Sequence, residues 1–111
     1  MSCLYESVFV FRQDLTASEV NKNIDQLVQI VQDNGGKLLK NEYWGLRTLA
    51  YTIKKNKKGH YVMLILDTPA QALEEIKNKV SLSTDIIRDQ IVRIEAFDGK
   101  DSIMLSSQDK W

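Results

Sequence analysis

The sequence predicts an α+β domain in which two helices cover one face of a four-stranded antiparallel sheet, and three observations lead there. Strand-like and helix-like hydrophobic periods alternate in the order β-α-β-β-α-β. Capping residues mark the helix boundaries. The two middle strands follow each other directly, as a hairpin. Right-handed crossovers through the helices make this the ferredoxin-like split β-α-β arrangement.

Leu4 to Phe11 sets Tyr5, Phe9 and Phe11 on one face and Leu4, Val8 and Val10 on the other, the pattern of a central strand covered on both sides. Thr16-Ala17-Ser18-Glu19 matches a capping box, with Val20, Ile24, Leu27, Val28 and Val31 recurring behind it at helical spacing. Asn34-Gly35-Gly36 ends that helix, because a glycine past the last turn adopts the left-handed conformation that closes it.

A long hairpin follows from about Lys37 to Asp67, with Asn56 and Gly59 bracketing the expected reversal. Its second arm, Tyr61 to Leu66, is apolar without interruption and reads as a second central strand. Thr68-Pro69 predicts a cap followed by the first helical position, where proline's missing N–H costs nothing. Leu73, Ile76, Val80 and Ala72 line one side of the second helix. After a polar break over Ser81–Asp85, Ile86 to Glu95 mixes apolar and charged residues as an edge strand does. The domain is expected over 1–97, and the polar segment 98–111 is expected to be a flexible tail.

The 111 residues suit one domain, and no apolar run approaches the roughly 18 residues that a membrane span needs. The N-terminal residues carry no secretory pattern. Cys3 is the single cysteine, which excludes an internal disulfide or a multi-cysteine zinc site and fits a reducing compartment. His60, the only histidine, has no serine, cysteine or second histidine nearby in sequence and reads as an exposed or half-exposed strand residue. Glu74-Glu75 and Asp85/Asp89 read as solvated charges. Asn34-Gly35-Gly36-Lys37 follows a helix, so it is neither a P-loop nor a dinucleotide fingerprint. Nothing converges as an enzyme, a metal or a cofactor requires, and no small-molecule substrate is expected.

The formal net charge is zero, but its distribution is uneven. Residues 37–60 carry seven positive and one negative side chain, a local +6 on a chain that is neutral to acidic elsewhere. Lys54, Lys55, Lys57 and Lys58 form the tip of that segment. Two readings of the tip stand side by side: lysines that keep a hairpin soluble, or lysines that bind an anion. Arg47 and Arg88, each flanked by apolar strand residues, can hold a fixed pose, and Tyr43, Trp44, Tyr51 and Tyr61 offer faces for base or guanidinium stacking. If the helices cover Phe9, Phe11, Val62, Leu64 and Leu66, then Val8, Val10, Met63 and Ile65 are left on the open face. They are expected there as exposed apolar surface for a protein partner or a dimer.

Tyr5-Glu6, Gly35-Gly36, Trp44 to Ile53, Lys57-Lys58-Gly59-His60-Tyr61 and Ile86-Ile87-Arg88 together resemble the bacterial small-subunit ribosomal protein six family, also found in mitochondria. The likeness runs from about Leu4 to Glu95, and the Gly-Leu-Arg-x-Leu-Ala-Tyr run is its most specific part. It implies the same fold and a non-catalytic structural protein. Such a protein binds small-subunit ribosomal RNA jointly with ribosomal protein eighteen in the central domain, in the cytoplasm or the mitochondrial matrix.

Carried over by position, Arg47 and Arg88 are the phosphate-contact candidates, while Lys54, Lys55, Lys57 and Lys58 match a variable loop and rest on charge alone. Three positions depart from the family pattern. Asp89 stands where a second basic residue is common, Leu4 where one often precedes Tyr-Glu, and Thr52 where proline is usual. The first two weaken RNA contacts and shift reliance onto the protein partner. The alternative function is a regulatory or ligand-binding domain of the same fold that dimerises through its open sheet face.

Overall fold

Six elements follow in the expected order: β1 (Ser2–Arg12), α1 (Ala17–Asp33), β2 (Lys37–Ile53), β3 (Asn56–Pro69), α2 (Ala70–Leu82) and β4 (Ile86–Ile94). This computed structural model describes residues 2–95, so the expected tail over 98–111 lies outside the described residues. The strands form one antiparallel sheet in the order β2-β3-β1-β4. The two continuous apolar strands are therefore central and the charge-bearing β4 is an edge, as the sequence predicts.

Both ends of α1 follow from local chemistry. The Thr16 hydroxyl accepts from Glu19 N–H at 3.2 Å, and the Glu19 carboxylate accepts from Thr16 N–H at 2.9 Å. That return bond, made to the backbone and reinforced by the Thr16 side chain, holds the Glu19 carboxyl below its ordinary range. At the other end Gly35 sits at φ +81°, Gly35 N–H reaches Gln32 C=O at 3.0 Å, and Gly36 N–H reaches Val31 C=O at 2.9 Å. These two bonds form a Schellman closure. Gly36 then lies so close to β3 that an added Cβ would stand 2.5 Å from the Thr68 hydroxyl.

The start of α2 differs from expectation. The β1–β3 ladder continues to Ser2↔Pro69 and Cys3↔Thr68, which keeps Thr68 in the strand, fully buried. Pro69 is the N-cap with no side-chain cap bond, and the Thr68 hydroxyl donates instead to Pro69 C=O at 3.4 Å. Sheet pairing on one side and contact with Gly36 on the other outweigh the capping preference.

The helix-facing core holds Phe9, Phe11, Val62, Leu64 and Leu66 against Val20, Ile24, Leu27, Val31 and Ile76. Each such side chain contributes about 1.5–3 kcal/mol on burial. The opposite face corrects the expectation of exposed apolar surface. Val8, Val10, Met63 and Ile65 are at most 3% exposed and form a second cluster with Leu49, Tyr61 and Ile87, flanked by Trp44, Ile53 and Ile94.

Their cover is the chain's own hairpin. The β2–β3 register shifts between Leu38 and Lys40, between Tyr43 and Gly45, and between Thr48 and Ile53. Extra residues on one strand bend and twist it, and β2 carries Trp44, Leu49 and Ile53 back onto the sheet. At the second of these shifts Gly45 adopts φ +82°, a conformation that side-chain-bearing residues rarely take.

Candidate nucleic-acid interface

The site grows from the far half of the hairpin. β1 pairs with β3 only as far as Arg12↔Gly59, so Asn56, Lys57 and Lys58 project past the central strands with the end of β2. The reversal is a two-residue turn at Lys54 and Lys55, with Ile53 facing Asn56 across it, two positions before the expected start. Lys54 and Lys55 have φ of 46° and 69°. Two left-handed residues in succession are what a tight hairpin turn requires, and glycine or asparagine adopts them at lower cost than lysine.

Asn56 holds this turn in place. Its buried side-chain amide donates to Ile53 C=O at 3.3 Å and to Lys54 C=O at 3.0 Å, while its oxygen accepts from Gln13 N–H at 3.1 Å. The Gln13 side-chain oxygen in turn accepts from Lys58 N–H at 3.3 Å. The tip is thus tied to the β1–α1 loop, and Lys54, Lys55, Lys57 and Lys58 are displayed, all exposed, from an anchored base. No sequence signal points to Gln13, whose partner lies 43 residues away.

Arg47 and Arg88 start from opposite edges of the sheet. Arg47 faces Gly59 across the β2–β3 ladder, its guanidinium lies 4.6 Å from the Trp44 ring centroid, and its Nε donates to Trp44 C=O at 3.3 Å. Trp44 is itself fixed by an indole N–H bond to Glu42, whose carboxylate also pairs with Lys40 at 3.2 Å. Arg88 pairs with Val10, next to a β4 irregularity that places Ile87 in the cluster of the same face. Its guanidinium lies 5.7 Å from the Tyr51 ring centroid and donates to the Tyr51 hydroxyl.

Tyr61 lies in the row between them, opposite Gly45 of β2 on one side and Val10, the partner of Arg88, on the other. Burial pushes its pKa up, while Arg88 and, more weakly, Arg47 pull it down and Tyr51 raises it. Each arginine is thus held against an aromatic ring of β2, on strands that lie to either side of Tyr61 in the sheet. Cations in fixed poses over aromatic rings suit anion and nucleobase contact.

His60 is not part of this group. Contrary to expectation it is only 6% exposed. It lies on the helix-side parity of β3, its ring stacks on Tyr43 with centroids 6.1 Å apart, and its Nδ1 is 2.8 Å from the Tyr43 hydroxyl. The stacked ring and the flanking strands exclude solvent that a surface position would have. Among the described residues no group of three or more His, Cys, Asp or Glu could hold a metal ion, and no helix is long and apolar enough to cross a membrane.

A family model described as ribosomal protein S6 matches residues 4–93 of this chain. The chain is 46% identical over 104 residues to small ribosomal subunit protein bS6 of Rickettsia canadensis, covering 94% of this chain and 86% of that protein. It is 40% identical over 107 residues to the protein of the same name from Paramagnetospirillum magneticum, covering 96% and 74%. The crystal structure of 30S ribosomal protein S6 from Thermotoga maritima superposes with a TM-score of 0.77 at 26% identity, covering 99% of this chain and 96% of that one.

Proposed function

The chain belongs to the ribosomal protein S6 family, and we propose that it binds small-subunit ribosomal RNA jointly with ribosomal protein eighteen during assembly of the central domain. The family is structural and non-catalytic. The observation that carries the RNA reading is the pair of pinned arginines, Arg47 against Trp44 and Arg88 against Tyr51, on a chain whose residues 37–60 hold a net +6. Each guanidinium is held by an aromatic ring and a hydrogen bond, so little rotamer freedom remains to be lost when a phosphate binds.

The tip supports the same reading. Lys54 and Lys55 occupy backbone conformations in which glycine would be lower in energy, and strain kept at a displayed position points to a use for the side chain. Charge is what lysine adds there.

The charge balance supports joint binding. The chain is neutral overall, so a few phosphate contacts cannot supply the affinity that a strongly basic protein reaches alone. A protein interface makes up the difference. Because Val8, Val10, Met63 and Ile65 are buried, they support this face from beneath, and a partner seated on it meets exposed side chains such as Val92 instead. The same burial counts against a free domain that dimerises through those four residues. The relatives reported above are bacterial, which supports a place in the ribosome of the bacterial cytoplasm.

The test is filter binding of the protein to a central-domain ribosomal RNA fragment, with and without ribosomal protein eighteen. Tighter binding in the presence of the partner is expected. An affinity that the partner leaves unchanged removes the joint-binding reading.

A further inference from the structure

We infer that Tyr51 is a stacking platform for an unpaired base of the RNA, so that the hairpin recognises an unstacked nucleotide and not only a duplex backbone. This rests on the RNA-binding reading above and concerns how that same site chooses among RNA shapes.

The structure separates four aromatic residues that composition treats alike. Tyr61 is 5% exposed and offers no face. Trp44 is half-buried, with the Arg47 guanidinium over its ring. Tyr43 stacks on His60 on the helix-side parity of the sheet, away from Arg88. Tyr51 is 57% exposed, its hydroxyl is held by Arg88, and the same guanidinium lies over its ring. A guanidinium over the ring and a bond to its hydroxyl fix the orientation of this side chain while most of its surface stays in solvent. Arg88, bonded to its hydroxyl, already sets positive charge for a flanking phosphate beside the ring.

A ring so placed is of little use against paired RNA. An A-form helix hides its base faces in the stack and presents phosphates, hydroxyls and groove edges, whereas bulges, loops and junctions expose a base whose face can lie on an aromatic side chain. Stacking of that kind tolerates any base, because every base has such a face. Arg88, 5.7 Å from the ring centroid and bonded to the hydroxyl, adds cation–π attraction at that end of the ring.

The experiment compares two RNAs of equal length, with ribosomal protein eighteen present throughout. One is a central-domain fragment carrying 2-aminopurine at its unpaired positions, and the other is a fully paired duplex. Tyr51→Ala is expected to weaken binding to the first by roughly 5- to 100-fold and to abolish fluorescence quenching at one of the unpaired positions, while binding to the duplex stays within about twofold. Tyr51→Phe, which loses the hydroxyl bond to Arg88 but keeps the ring, retains most of the affinity and the quenching. Equal losses on both RNAs, or a Tyr51→Phe defect as large as that of Tyr51→Ala, would overturn the inference. So would an unchanged Tyr51→Ala on an RNA that the wild type binds, and that result leaves the RNA reading standing. A wild type that binds neither RNA removes the RNA reading itself, and the stacking inference with it.

Discussion

Gly59 lies diagonally across the β1–β3 ladder from Val10, and a Cβ built on Gly59 would stand 2.4 Å from Val10 Cγ1 and 3.2 Å from the Phe11 carbonyl oxygen. Leu49 closes the space from the other side at 3.5 Å. The missing side chain is what lets the hairpin fold down onto the second cluster at this point. Gly59→Ala should therefore destabilise the protein by about 1–3 kcal/mol through overpacking, read as a lower urea midpoint with an unchanged slope. An unchanged midpoint would mean that the hairpin is not seated on the sheet as described.

Asn56 joins three segments through one side chain, and all three bonds are lost in Asn56→Ala. A cost of about 1–3 kcal/mol is expected, since backbone groups of the turn and of Gln13 lose their partner. Amide hydrogen exchange at Gln13 should accelerate more than exchange in α1. Uniform acceleration across the chain would show that Asn56 acts on global stability alone.

The double variant Lys54→Asn/Lys55→Gly puts the residues preferred in a two-residue hairpin turn where two lysines now sit at positive φ. Stability should rise by about 1–2 kcal/mol. RNA affinity should fall in the same variant, with the log–log salt slope reduced by roughly 1–2. A stabler protein that binds RNA as well as the wild type would assign the tip lysines to solubility.

Asp85 links β1, α1 and the α2–β4 loop. Its carboxylate accepts from Arg12 at 2.8 Å and from Asn23 at 3.1 Å, and these bonds, Arg12 first, hold its pKa below the ordinary aspartate value. A depressed folded-state pKa means that the stabilisation is complete above the unfolded value and is lost as the pH falls through the folded one. Acid unfolding of Arg12→Ala should accordingly set in at higher pH than that of the wild type. The stability difference should be full and constant between pH 6 and 8 and should shrink as the pH falls through and below the ordinary aspartate range. A pH-independent loss would assign the residue a packing role only.

Much of this molecule can be read from its residues, and the division is physical. The two ends of α1, the central position of β1 and β3 and the edge position of β4 follow from short-range periodicity and capping chemistry, whereas the start of α2 does not. Alternation along β1 and β3 also assigns Phe9 and Val8 to opposite faces correctly. It cannot tell whether a face is covered, because the cover depends on where β2 bulges, and a bulge leaves no period of its own. The burial of His60 escapes alternation in the same way, since its ring packs on Tyr43, 17 residues away on the neighbouring strand. At the site, Arg47 and Arg88 are legible as residues, but which ring holds each, Trp44 for the one and Tyr51 for the other, is a product of the fold.

The most direct test of the RNA-binding account is the affinity of the Arg47→Ala/Arg88→Ala double variant for the central-domain RNA fragment with ribosomal protein eighteen present, measured against salt. The wild type should show a log–log slope of about −2 to −4, matching two to four phosphate contacts. The double variant should bind more weakly, with a slope shallower by about 2. Wild-type affinity and slope in the double variant would contradict the assignment of these arginines to the RNA.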